Sequence, residues 1–157
     1  MKNQGNISTT IIILLIFLCN SLIAQQDGDY RSKKSGEWKN KSTWQEYQNG
    51  SWKNTNKSPD DENITITIQS GHEIIFDDNK AKVGKLILET GSLLYRKETD
   101  NENELEIFGD IIVDGVLGNG STPDALVLSV NGASTIISGS GQCNFYRINK
   151  TSNSEAN

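Results

Sequence analysis

Histidine, proline and cysteine are nearly missing from this chain: its 157 residues hold one His, two Pro and two Cys. A catalytic triad needs a histidine set beside a nucleophile and an orienting acid, and a zinc site needs several His or Cys ligands. His72 and Cys143 build neither with any specificity. The other cysteine, Cys19, falls in an N-terminal apolar segment. Once that segment is set aside, Cys143 has no internal partner, which excludes a disulfide scaffold and leaves stability to a packed core. A basic excess is missing too. The net charge is −5, which argues against nucleic acid or anionic lipid as partner, since both are held by grouped cations. No long stretch has a helical 3.6-residue period, so helix is not expected as a major element.

Only one long apolar run occurs, Ile11 to Leu18, with Lys2 ahead of it and Asn20, Ser21 and Ala24 behind. A charged start, an apolar stretch and small residues before a polar segment form the order of a secretory signal, with cleavage expected after Ala24. The competing reading, an uncleaved anchor, needs roughly 20 apolar residues. A lipoprotein reading at Cys19 meets the bulky Leu18 where a small residue is wanted. The expected mature chain is 25–157, with 14 basic and 20 acidic residues and a charge of −6, because Lys2 is the only charged residue in 1–24. No membrane insertion is expected after cleavage. The expected destination is extracellular or the cell surface, with the periplasm as the other compartment.

What is abundant is strand. Ile64-Thr-Ile66-Thr-Ile68 alternates apolar with polar, the period-two mark of a strand with one buried face. Short runs follow at 73–76, 85–88, 92–95, 105–108, 111–113, 125–130, 134–137 and 144–148, each rich in Ile, Val, Leu or aromatics and bounded by Gly, Asn, Asp or Ser. Ile68-Gln-Ser-Gly71-His-Glu-Ile74 and Leu88-Glu-Thr-Gly91-Ser-Leu-Leu94 share one pattern, with glycines 20 residues apart. Shorter relatives around Gly109 and Gly132 lie 18 and 23 residues further on. A strand, a glycine corner and another strand at this period make one coil of a β-solenoid, whose apolar face is buried only by stacking on its neighbours. The alternative is an antiparallel β-sandwich, but two-residue hairpin dipeptides in 64–148 are limited to Asp114-Gly115 and Asn131-Gly132.

Ahead of this zone, Asn49-Gly50 between Thr43–Gln48 and Ser51–Lys53 is a strong type I′ hairpin signal. A two-residue turn pairs Tyr47 with Trp52 on one face and sends Trp44 to the other. The expected organisation is a signal over 1–24, an N-terminal cap with a Trp-rich hairpin over 25–63, a β-helix body over 64–148 and a polar tail over 149–157.

Candidate sites are few. Trp38, Trp44, Tyr47 and Trp52 are candidates for stacking on sugar rings, or else the core of a cap that shields the first coil's open edge. Asp100, Glu102 and Glu104 are a weak calcium candidate, since Ca²⁺ takes six to eight oxygens, but the spaced Asp-x-Asp-x-Asp-Gly pattern is missing. The acidic groups at 60–62 and 77–78 sit in turn-like stretches where carboxylates normally face water. His72, beside a predicted corner, is expected to cap a turn. No cofactor and no catalytic residue is expected.

Tyr30-Arg-Ser, Ser35-Gly-Glu-Trp38, Ser42-Thr-Trp44, Asn49-Gly-Ser-Trp52 and Pro59 precede Ile64-Thr-Ile-Thr-Ile-Gln-Ser-Gly-His-Glu-Ile74. This run resembles the N-terminal region of bacterial secreted and cell-surface proteins with G8-like, glycine-punctuated β-helix repeats. The ending Gly139-Ser-Gly-Gln-Cys-Asn-Phe-Tyr-Arg-Ile-Asn149 is similar to the point where those proteins begin another repeat block. The resemblance implies a right-handed parallel β-helix in an extracellular structural, adhesive or glycan-associated role. The expected function is a non-enzymatic module with extracellular polysaccharide or a cell-surface protein as partner, the alternatives being a carbohydrate-binding module that uses the tryptophans and a remnant of a β-helix polysaccharide lyase or hydrolase. The resemblance carries no catalytic residues. Such proteins usually continue beyond this length, so a truncated relative, a fragment and a free-standing module all stay open.

Overall fold

The computed structural model describes residues 25–96, 103–118 and 124–150. The expected signal, 1–24, lies outside them. Fourteen strands and one 3-10 turn at Lys41–Thr43 make up the regular structure of the described residues. Strands β1 (Tyr30–Ser32) and β2 (Gly36–Glu37) come first, then the hairpin β3 (Trp44–Gln48) and β4 (Ser51–Asn54). Next come β5 (Asp61–Ile68), β6 (Glu73–Ile75), β7 (Lys80–Leu88) and β8 (Leu93–Tyr95). The series ends with β9 (Asn103–Ile107), β10 (Ile111–Val113), β11 (Val116–Gly118), β12 (Asp124–Val130), β13 (Ile137–Ser138) and β14 (Gln142–Lys150).

Successive coils pair in parallel, so the chain is a β-solenoid and not a sandwich. Inward apolar ladders carry its core, among them Ile68–Leu88–Val113, Val83–Ile107–Val130 and three longer ones. The first runs Ala81, Leu105, Leu128, Ile148. The second runs Tyr30, Ile66, Leu86, Ile111, Ile137, and the third Ile74, Leu94, Leu117, Cys143. The predicted repeat is a true rung pair, with Ile68 on Leu88 and Ile74 on Leu94. Parallel pairing in register puts like residues above like, and each apolar side chain covers the one before it.

Corners fix the register. Gly71 and Gly91 have φ of 76° and 78°, and each turn closes by a bond from the next residue's N–H to Gln69 O or Glu89 O, at 3.1 and 3.0 Å. That is the third position of a type II turn, where positive φ is required. Gly109 and Gly132 do not continue this column, contrary to the sequence expectation. A Cβ on Gly109 would lie 2.6 Å from Gly84 O, and one on Gly132 would strike Phe108 O. Those glycines stack with Gly84 at a different corner, where β7 turns from its partner β9 to its partner β10. The Gly71–Gly91 column passes instead to Gly115 and Gly141.

The N-terminal zone does two jobs. β1 and β2 already form parallel rungs on β5 and β6. β3 pairs antiparallel with β1, and β4 with β3. Asn49 and Gly50 both have positive φ, 52° and 77°, as the type I′ turn demands. The body thus begins before Ile64, inside the segment expected to be only a cap. At the other end β14 runs to Lys150, so Asn149 and Lys150 belong to a strand and not to a tail. Backbone pairing does not require apolar side chains, which is why composition placed that boundary two residues early. The remainder of the expected tail, 151–157, lies outside the described residues.

Gly84→Ala tests the corner packing. Its Cβ would sit 2.8 Å from the carbonyl oxygens of both Glu62 and Ile64, a backbone clash that cannot rotate away. Chemical denaturation of the variant is expected to show a loss of about 1–3 kcal/mol without loss of the β spectrum.

Candidate functional site

The four aromatic candidates fall into two pairs. Trp38 and Trp44 are 0 % and 1 % exposed. Their rings meet edge to face at 5.1 Å, and Trp38 meets Phe76 in the same way at 5.1 Å. Their polar atoms are satisfied indoors: Trp38 Nε1 donates to Pro59 O at 3.1 Å, and Trp44 Nε1 donates to Trp38 O at 2.7 Å. Burial removes both from the candidate binding set. They plug the N-terminal end of the core, where the first rung would otherwise lie open.

Tyr47 and Trp52 are half-buried cross-strand partners on the opposite hairpin face, their rings 5.1 Å apart at 66°. The Arg31 guanidinium lies 4.6 Å from the centroid of Trp52. Its Nε and Nη2 donate to Gln45 Oε1 at 3.0 and 2.8 Å. Two aromatic rings, a guanidinium and an amide thus share one side of the β1–β3–β4 sheet. Such a set suits a ligand with apolar ring faces and many hydroxyls, because rings stack while fixed donors and acceptors orient. Arg31 and Gln45 were not among the sequence candidates. The β1–β3 pairing that brings Arg31 to the hairpin was not legible in the sequence.

His72 stands where the corner expectation put it. Its Nδ1 lies 2.8 Å from Ser32 Oγ, which also accepts the N–H of Gln69 at 2.8 Å. Ser32 is fully buried. A hydroxyl in that position fastens the corner to β1 and is out of reach of a substrate.

Of the calcium candidates, Asp100 and Glu102 lie outside the described residues. Glu104 is engaged: Lys80 Nζ sits 3.0 Å from Oε2, and Ser129 Oγ donates a short bond to Oε1. Lys80 also reaches Glu106, at 3.1 Å, and Asn131 Nδ2 donates to Glu106 at 2.9 Å. The hydrogen bond from Ser129, followed by that from Lys80, holds the Glu104 carboxyl below the usual glutamate range. Among the described residues no three His, Cys, Asp or Glu side chains converge as metal ligands. Other carboxylates clamp backbone: Asp60 accepts Lys82 N at 2.9 Å, and Asp77 accepts Lys39 N at 2.9 Å.

No family model, no curated protein and no solved structure matches this chain.

Two predictions follow from this division. Trp44→Ala opens a large hole in the plug and is expected to cost about 3–5 kcal/mol, whereas Trp52→Ala, half-exposed, is expected to leave the unfolding midpoint nearly unchanged. Parallel melts of the two variants check this. Glu104, with its folded-state pKa lowered, adds stability that is fully present above the unfolded value of about 4.3 and is lost as pH falls through the folded value. Glu104→Gln is therefore expected to flatten the acid limb of a stability–pH curve below about pH 4.3.

Proposed function

We propose that this chain is a non-enzymatic, exported structural module that presents a stiff β-solenoid body at the cell surface or outside the cell. The observation that carries this reading is the continuous set of stacked ladders, closed at one end by the Trp38–Trp44–Phe76 plug. Each described coil is spent on core and corner, and the chain's one histidine is tied to a buried serine. A body of this kind keeps its length and holds whatever it carries at a fixed spacing. Export rests on the N-terminal segment, whose order is that of a secretory signal. Among the described residues no helix is long and apolar enough to cross a membrane. Immunodetection on intact cells of the source organism, before and after external protease, tests the location. Signal confined to the cytosolic fraction would end this reading.

A second reading has its own observation. The Tyr47–Trp52–Arg31–Gln45 surface supports carbohydrate binding on the hairpin's outer face, with the solenoid as its carrier. Because Trp38 and Trp44 are buried, a change in intrinsic fluorescence on titration with soluble polysaccharides is expected to come from Trp52 alone. Trp52→Ala should abolish the change while the fold persists. A flat response of the wild-type chain across a broad glycan panel would leave the structural role by itself.

A further inference from the structure

The hairpin and the segment leading into it carry a charge that the chain as a whole conceals. Residues 31–57 hold seven Lys or Arg against two acids, Glu37 and Glu46, a net +5; with −5 for the whole chain, the remaining residues carry −10. The acids that flank this stretch are tied up. Asp27, Asp29, Asp60 and Asp61 accept the backbone N–H groups of Asn49, Thr65, Lys82 and Asn63, and Glu62 pairs with Lys82.

Three of these cations gather on the outer face of the hairpin. Lys33 Nζ donates to Asn54 Oδ1 at 2.9 Å. Lys33 and Lys41 line an open hollow together with Ser42, Trp44, Asn54 and Thr55, a lining without a carboxylate. Asn54 follows Trp52 by two residues along β4, on the same face and about 6.8 Å further on. Arg31 stands against the Trp52 ring and donates to the neutral Gln45. Glu46, the hairpin's one carboxylate, alternates to the other face, where it accepts from Thr55 Oγ1 at 3.0 Å. Among the described residues no carboxylate pairs with Arg31, Lys33 or Lys41.

We infer that this face takes an acidic polysaccharide. A sugar ring rests against Tyr47 and Trp52 beside the Arg31 guanidinium, and the carboxylate or sulfate of a neighbouring sugar enters the Lys33–Lys41 hollow. The inference rests on the carbohydrate-binding reading above and names its ligand class. Each exposed ion pair contributes little alone, and a polymer that repeats its acid group gains by meeting several cations at once. A nucleic acid is less well matched. It calls for successive stacking rings along a continuous basic track, whereas this face has one aromatic pair and the rest of the chain is acidic.

The test titrates the purified chain with polygalacturonate and dextran sulfate, each beside its neutral counterpart, the carboxyl-reduced polymer and dextran. Trp52 fluorescence and calorimetry are read together. At least one acidic polymer is expected to bind saturably, and its neutral counterpart at least about tenfold more weakly. Lys33→Gln combined with Lys41→Gln, at two exposed positions, is expected to weaken the acidic polymer by about tenfold as well. The comparison of polymers needs no variant, so it decides even where the double variant does not fold. Equal affinity for an acidic polymer and its neutral counterpart overturns the acidic class and leaves the carbohydrate reading in place. No response to any of the four overturns both. Tighter binding of single-stranded oligothymidylate overturns the inference in favour of nucleic acid. So does sedimentation showing self-association that the double variant abolishes, which makes the acidic body of a second copy the occupant.

Discussion

The vertical stacking of one coil on the next, in parallel and in register, is the constraint on which the rest of this structure depends. Neighbouring strands lie about 4.8 Å apart, so a side chain that faces inward has its equivalent in the next coil as its nearest neighbour. This makes each ladder uniform in character, as Ile66–Leu86–Ile111 and Ile74–Leu94–Leu117 are. The same closeness governs the corners, where backbone approaches backbone and a Cβ has no room. Glycine is needed there for space at Gly84 and Gly109, and for positive φ at Gly71 and Gly91.

A stack of this kind is stable in its middle and exposed at its ends. The N-terminal end is closed by changing geometry: β3 adds antiparallel, Trp38 and Trp44 turn inward, and their indole nitrogens find backbone carbonyls. The antiparallel hairpin can do this because it pairs with β1 by one edge while its turn needs only Asn49 and Gly50. Its outer face is then free to carry Tyr47, Trp52 and Arg31. The hairpin thus supplies Trp44 to the plug and Gln45, Tyr47 and Trp52 to the surface best suited to a ligand, the two roles separated by strand alternation.

Outward faces along the body show how polar residues are managed when rungs repeat. Lys80, Glu104, Glu106, Ser129 and Asn131 form a network that crosses successive rungs, so charges of opposite sign stack where like charges would repel. Each such contact on the surface contributes little by itself. Together they keep the outer column compatible with the register that the apolar ladders impose.

Local chemistry was legible in the sequence. Period-two alternation gave β5, the Asn49-Gly50 dipeptide gave the hairpin and its Tyr47–Trp52 pairing, and the repeat around Gly71 and Gly91 gave the coil, because each of these is set by residues within a few positions of one another. What the tertiary structure alone decided is which distant segments lie in contact. The separation of Gly84, Gly109 and Gly132 from the Gly71 column, the arrival of Arg31 beside Trp52, and the burial of Trp38 and Trp44 all follow from coils whose lengths vary, and a fixed period cannot assign them. Strand alternation already set Trp44 on the opposite face from Tyr47 and Trp52, but which face is covered was not legible, nor was the place of Trp38. The difference lies in which strand arrives from elsewhere to cover the ring.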